Sequence, residues 1–413
     1  MPTVEVHPDE LRRLTGHDEK DDDELKSDLF ALGLEFEGET DEGAFELEFA
    51  PDRLDRLSVE GVARSLRYQY GDVRGVSVPK TNDPDWTFLV DEDVPDQRPY
   101  VTGAIARGAD LTDKALQSLI QVQEKLHATM GRDRAKGAIG IHDLTMLKGA
   151  AATDDTGEQS ILYTGVEPDG DTFVPLDADE EMTPGEVLSR HKTGEKFADL
   201  VADYDRMPAI YDDIGLFSFP PVINGRRTEV TTDSRDLLIE MTGTDQWTID
   251  HMLNIVCYAL AARGATIESV EVEYPEGEAY PMRELVRPDL EVHEKVVTHE
   301  RIESILGIEL SPGEVVDLAE RSGLDAETEE FGDATEYRVS VPPYRVDVLH
   351  PLDVVDDLGR AFGFNDLEPR YPDVSTVGGR HERSRLERAV RETLVGLGFQ
   401  DLLDFHLISE EAN

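Results

Sequence analysis

Apolar positions along the chain fall into helical and strand periods that divide it into recognisable units. In FELEFAPDRLDRLSVEGVARSLRYQYG the alternation of FELEF predicts a strand, Pro51-Asp52 a turn, and the remainder a helix. Val62, Leu66 and Tyr70 share one face of that helix, Ser58 stands at its N-cap, Leu57 and Val62 are at staple spacing, and Gly71 ends it. DLTDKALQSLIQVQEKLHATMG predicts a second helix with Leu116, Leu119, Ile120, Leu126 and Met130 near one face. RAKGAIGIHDL then predicts a short buried strand. The stretch LLIEMTGTDQWTIDHMLNIVCYALAARGATIESVEVEYP predicts strand, helix and strand, with Asp245 as the cap and Gly264 as the left-handed terminator. VVTHERIESILGIELSPGEVVDLAERSGL predicts two helices joined through Leu310-Ser311-Pro312-Gly313, and TEYRVSVPPY a strand. HERSRLERAVRETLVGLGFQDLLDFHLIS predicts a long amphipathic helix and a further strand.

These elements group into four expected regions: an N-terminal α/β domain over 1–92, a mixed domain over 93–274, a helix-rich α+β domain over 275–372, and a remnant over 373–413. The Pro- and Asp-rich run from Thr81 to Pro99 marks the first boundary, and Asp154 to Gly170 is polar and loop-like. A helix and a strand cannot bury a core by themselves, so the last region is expected to be the start of a further domain.

Composition changes the picture in three ways. Asp and Glu number 90 against 40 for Lys and Arg, a formal charge of -50. Most of the basic residues are arginine. Such a chain is suited to molar salt, where a Debye length of about 3 Å screens self-repulsion. The charge argues against a basic nucleic-acid stripe. In molar salt, however, counterion release contributes little, so a nucleic acid held by shape and stacking stays compatible with it. Cys257 is the single cysteine, which excludes a disulfide framework or a thiolate zinc site. No stretch is apolar enough for a membrane span or a signal peptide, so a soluble, cytoplasmic protein is expected.

No P-loop, HExxH, GxSxG or dinucleotide fingerprint occurs. His127 and His142 lack ligand spacing, and His142 in GIHDL is expected to be a satisfied, partly buried histidine. Two features carry candidate chemistry. In VPPYRVDVLHPLDVVDDLGRAFGF, a helix from Val354 to Phe362 puts Val354, Val355, Leu358, Ala361 and Phe362 on one face and Asp353, Asp356 and Asp357 on the other, with Asp347 arriving from the preceding strand or loop. Asp353 can be an N-cap and Asp356 can favour the helix dipole. Neither role uses Asp347 or Asp357, and a hard cation with oxygen ligands would offset the repulsion among the acids. Both accounts stand on the residues alone. In GLFSFPPVINGRRTEVTTDSRDLLIEMTGTD, Ser218 and Asn224 flank Pro220-Pro221, and Glu240 and Thr242 sit two apart on a strand. This is either a kinked edge strand or part of a ligand pocket.

Taken together, PDRLDRLSVEGVARSLR, QEKLHATMGRDRAKGAIGIHDL, FSFPPVING, IEMTGTD and VPPYRVDVLHPLDVVDDLGRAFGF occur in an order that resembles the β subunit of archaeal-type phenylalanyl-tRNA synthetase, over nearly the whole chain. The resemblance implies an α/β and α+β multidomain fold: an N-terminal α/β domain, a mixed editing domain, a helical or winged α+β domain and the start of a degenerate class II synthetase module. It implies an α subunit as partner in an α2β2 tetramer, with tRNA bound, ATP as substrate of the complex and the synthetic site on α. It also implies Mg²⁺ ligands at Asp347, Asp353, Asp356 and Asp357, with Asp356-Asp357 where relatives can carry Glu. Ser218, Asn224, Glu240 and Thr242 would line a pocket that hydrolyses mischarged Tyr-tRNA, the two strands that carry them being neighbours. The family's chain continues through a whole catalytic-like module, so a truncated or partial chain is expected. Two other readings fit the residues: a stand-alone tRNA- or partner-binding β-like module without editing, and a magnesium-dependent phosphotransferase, which the missing glycine loop disfavours.

Overall fold

The computed structural model describes residues 3–49, 52–148, 159–276, 280, 282–332, 334–369, 378–403 and 407–410. Contacts divide the chain into a large unit, Met1–Asp366, and a small one, Leu367–Asn413.

Local signals for helices hold closely. The helix Val59–Tyr70 starts at Ser58, whose side chain accepts from Gly61 N, and ends at Gly71 with φ 79°. Gln246–Ala262 starts at Asp245, which accepts from Thr248 N. Gly264 follows it with φ 86°, a conformation that costs glycine no Cβ clash. Pro312–Arg321 carries a Ser311/Glu314 capping box. Asp113–Ala128 buries Ala115, Leu119, Val122 and Leu126, whereas Ile120 is 49% exposed rather than in the core.

The large unit is built on four sheets. An antiparallel three-stranded sheet, Thr3–Val6, Phe45–Phe49 and Leu34–Glu39, packs with Pro8–Thr15, Asp22–Ala31 and Val59–Tyr70 to form the N-terminal α/β layer. A four-stranded antiparallel sheet has Leu237–Gly243 between Tyr100–Arg107 and Gly137–Asp143. One of its faces packs on the helices Asp113–Ala128 and Gln246–Ala262, in a core continuous with that of the N-terminal layer. Its other face, through Val101, Ile105 and Leu238, packs on a seven-stranded mixed sheet through Phe88, Tyr163, Phe217 and Val270. A third core joins the sheet of His293–Thr298, Ala334–Val341 and Asp325–Phe331 to three helices, His299–Leu306, Pro312–Arg321 and Pro351–Phe362.

Strand pairing moves two expected boundaries. Trp86–Val90, inside the run taken as a linker, is central in the seven-stranded sheet, parallel to both Gln159–Val166 and Val270–Glu273. The N-terminal layer therefore ends before Trp86. Glu284–Arg287 pairs with Val270–Glu273, so the second region extends past 274. The partners of Trp86–Val90 lie far along the chain, which is why a five-residue run between Asp85 and Asp91 gives no local strand signal. Residues 159–166 of the polar stretch also form a strand; 149–158 lie outside the described residues. In the small unit Glu382–Gly396 is helical as expected, but no strand follows among the described residues.

Candidate functional site

FSFPPVING folds as a tight hairpin at the edge of the seven-stranded sheet: Gly215–Phe219 runs into a cis Pro220-Pro221 bond, and Ile223–Asn224 pairs back so that Asn224 faces Ser218. IEMTGTD lies in the other sheet. The two segments converge because the sheets stack, not because the strands are neighbours. In the four-stranded sheet Glu240 is opposite Gly140 on one side and Gly103 on the other, and Leu238 is opposite His142. Alternation then puts Glu240, Thr242 and His142 on the face turned to the hairpin.

The Ser218 hydroxyl is 3.1 Å from Glu240 Oε1 and 3.2 Å from Asn224 Oδ1. It has one proton to donate, and turning the Asn224 amide about lets both contacts be hydrogen bonds. Glu240 is 1% exposed and its Oε2 has no partner. It forms part of the wall of a cavity of about 430 Å³, together with Asn224, Pro221, Ile120 and Ile139. Of the four residues expected there, Glu240 and Asn224 line the cavity and Ser218 braces Glu240. Thr242 is fully buried, and its carbonyl and hydroxyl are engaged by Arg98 Nη1 at 2.6 and 3.3 Å.

Three neighbours carry no local motif. His142 is fully buried, not partly so, with Nδ1 2.8 Å from Thr228 Oγ1 and Nε2 3.6 Å from Glu240 Oε1. Its one sequence signal is the position two residues from Gly140, on the same face of an otherwise apolar strand. Gly140 is required there: a Cβ would lie 2.1 Å from Glu240 Oε1 and 2.8 Å from His142 Nε2. Arg98 is fully buried and gives its other Nη group to the carbonyls of Arg134 and Ala135. His127 is structural; its Nε2 accepts from Ile139 N, and burial pushes its imidazole down to about 3.

The acidic motif is arranged differently from the expected cation site. The helix is Pro351–Phe362 and its N-cap is His350, not Asp353. Asp353 is the third residue of the helix and accepts from Leu349 N and His350 N at 2.9 and 2.6 Å. Asp356 pairs with Arg360 Nε at 2.7 Å. Asp347 takes both arms of the Arg345 fork, at 2.9 and 2.6 Å, and the same Nη2 is 2.5 Å from Asp357 Oδ2. Burial raises Asp347, and the Arg345 charge outweighs that, so it stays below the ordinary carboxylate range. No three of these four bring ligand atoms within 4.8 Å of one another. Among the described residues only Glu35, Glu37 and Glu48 do so, on the exposed edge of a hairpin. As placed, Arg345 lies between Asp347 and Asp357, while Asp353 is engaged by backbone N–H groups and Asp356 by Arg360.

An antiparallel sheet stacked on a mixed one thus holds a buried carboxylate beside a cavity, and a further sheet-and-helix region follows in the chain. The tRNA synthetase B5 domain family matches residues 296–364. The chain is 71% identical to the phenylalanine–tRNA ligase beta subunit of Haloarcula marismortui, over all of this chain and 71% of the relative. It is 36% identical to that of Archaeoglobus fulgidus, over 99% of this chain and 70% of the relative. An N-terminal fragment of the phenylalanyl-tRNA synthetase beta subunit from Pyrococcus horikoshii superposes with a TM-score of 0.78 at 32% identity, covering 87% of this chain and 99% of the fragment. The chain belongs to the phenylalanine–tRNA ligase beta subunit family, and so to an aminoacyl-tRNA synthetase.

Proposed function

We propose that the cavity beside Glu240 hydrolyses tyrosine wrongly joined to the phenylalanine tRNA, while the chain supports ATP-dependent charging by an α subunit in an α2β2 assembly. The observation that carries this reading is Glu240 itself, a buried carboxylate that lines the 430 Å³ cavity and whose Oε2 has no hydrogen-bond partner among the described residues. A synthetic pocket that accepts phenylalanine excludes an added hydroxyl only weakly, by roughly 10²-fold. A pocket that hydrogen-bonds the phenol can reject phenylalanine by roughly 10⁴–10⁵. Glu240 is the acceptor for that phenol, Asn224 and Ser218 position it, and Thr242, tied to Arg98, stiffens the strand. A bound water would attack the ester; no protein nucleophile is needed.

ATP and Mg²⁺ serve the assembled ligase, which acts on tRNA in the cytoplasm. No described helix is long and apolar enough to cross a membrane. Of the four aspartates of the acidic motif, Asp357 reaches the N-terminal layer, through Arg53 at 3.8 Å. The test is deacylation of preformed Tyr-tRNA in high salt by the complex with α. Hydrolysis of Tyr-tRNA with Phe-tRNA spared supports the reading; no hydrolysis by the parent protein reduces this region to a tRNA- or partner-binding role.

A further inference from the structure

We propose that a small inorganic anion of halide size binds between the N-terminal layer and the B5 region, in a cavity walled by Arg53, Arg56, Arg321 and Arg360. The cavity measures about 40 Å³ and lies where the helices Val59–Tyr70, Pro312–Arg321 and Pro351–Phe362 approach one another. That is room for about three waters, since one needs about 10–15 Å³ in this measure, or for one halide with a water beside it.

Charge balance around the cavity is uneven. Arg53 forks onto Asp55 at 2.8 and 3.0 Å, and Arg345 is answered by Asp347 and Asp357. Arg360 has Asp356 and, at 3.5 Å, Asp52. Arg56 and Arg321 have no carboxylate at ion-pair distance among the described residues. Arg56 is 5% exposed and uses its donors on two neutral groups, Ser65 Oγ at 3.0 Å and the Leu32 carbonyl at 2.7 Å. Arg98, another buried arginine without an acid at ion-pair distance among the described residues, differs in that its guanidinium is engaged by the carbonyls of Thr242, Arg134 and Ala135. In a chain with 50 more negative than positive charges, two guanidinia with no acid at ion-pair distance line one cavity.

Among the described residues Asp357 is the only acid on the wall, and Arg345 holds its Oδ2 at 2.5 Å. Gln69 also faces the cavity, and its Oε1 has no partner. With the amide turned about, its NH₂ group donates into the same space. Burial and the neighbouring Arg53 push Arg56 down to about 9, in keeping with a site short of negative charge. Water fills the space but supplies no counter-charge; a halide accepts from the guanidinium edges and the amide together. The anion would tie Arg56 of the N-terminal layer to Arg321 of the B5 region and so fasten the two.

The test uses the purified protein. Crystals soaked in bromide are expected to show an anomalous peak in contact with Arg56 and Arg321. Replacing chloride by a bulky organic anion at constant sodium is expected to lower the Tm, and Arg321→Gln, at a partly exposed position, is expected to abolish that chloride dependence. Arg56→Gln should do the same where it folds. Water alone in the cavity after the soak, or an unchanged chloride response in Arg321→Gln, would overturn the proposal.

Discussion

His142 Nε2 and Glu240 Oε1 face each other at 3.6 Å, the imidazole fully buried and the carboxylate nearly so. Thr228 Oγ1 is 3.3 Å from the Gly225 carbonyl, to which it donates, so it accepts from His142 Nδ1–H at 2.8 Å. Nε2 is thus the imidazole atom turned toward the carboxylate. His142 is in this way a positioning residue for Glu240, with Gly140 leaving the space in which they meet.

Glu240→Ala is expected to slow Tyr-tRNA deacylation by roughly tenfold or more, because an unpaired phenol costs about 1–3 kcal/mol and about 1.4 kcal/mol is a factor of ten. His142→Leu should slow it as well without touching the cavity, since it removes the side chain that stands beside Glu240 Oε1. The measurement is the deacylation rate beside the rate of phenylalanine charging, which neither change should alter. A His142→Leu protein that edits at the parent rate removes the imidazole from the site.

Gly140→Ala tests the space itself. The new methyl would lie 2.1 Å from Glu240 Oε1 and must drive the carboxylate out of place. Overpacking of this kind costs about 1–3 kcal/mol, so the protein should still fold while Tyr-tRNA hydrolysis is lost. Urea unfolding and deacylation measured together separate these effects.

Arg345→Met leaves Asp347 and Asp357 buried without their shared partner. A loss of about 3–5 kcal/mol is expected in urea unfolding. Chelating Mg²⁺ should leave the Tm of the purified protein unchanged. A Mg²⁺-dependent rise in Tm that vanishes in an Asp353→Ala, Asp356→Ala double variant would restore a cation to this motif.

Acid stability should depend on Glu10. Burial raises this carboxyl, but hydrogen bonds from Arg13 and Arg263 outweigh that and hold it at about 2, against an ordinary value of 4.5. A lowered folded value means that its contribution is complete above the ordinary value and disappears as pH falls toward 2. Urea unfolding from pH 5 to about pH 2 should show a flatter decline for Glu10→Gln than for the parent; equal slopes would assign the acid loss to other carboxylates.

Sequence alone determined the elements whose signals are local. The Ser58, Asp245 and Ser311 caps and the Gly71 and Gly264 terminators were readable because capping involves only residues within a turn or so of the helix end. The same-face relation of Glu240 and Thr242 follows from strand geometry, and the ordered segments were enough for the family. Tertiary structure decided the rest. The Trp86–Val90 strand exists because strands from distant segments flank it. His142 became a neighbour of Glu240, and Arg98 a partner of Thr242, through the pairing of strands far apart in the chain, and Ser218 reached Glu240 only when two sheets stacked. The sign of the acidic motif was settled the same way: Arg345 lies two residues from Asp347 in the chain, but that its guanidinium would also reach Asp357 depends on how the strand meets the helix. Charge neutralisation is a property of distances in space, and a linear pattern of acids does not contain them.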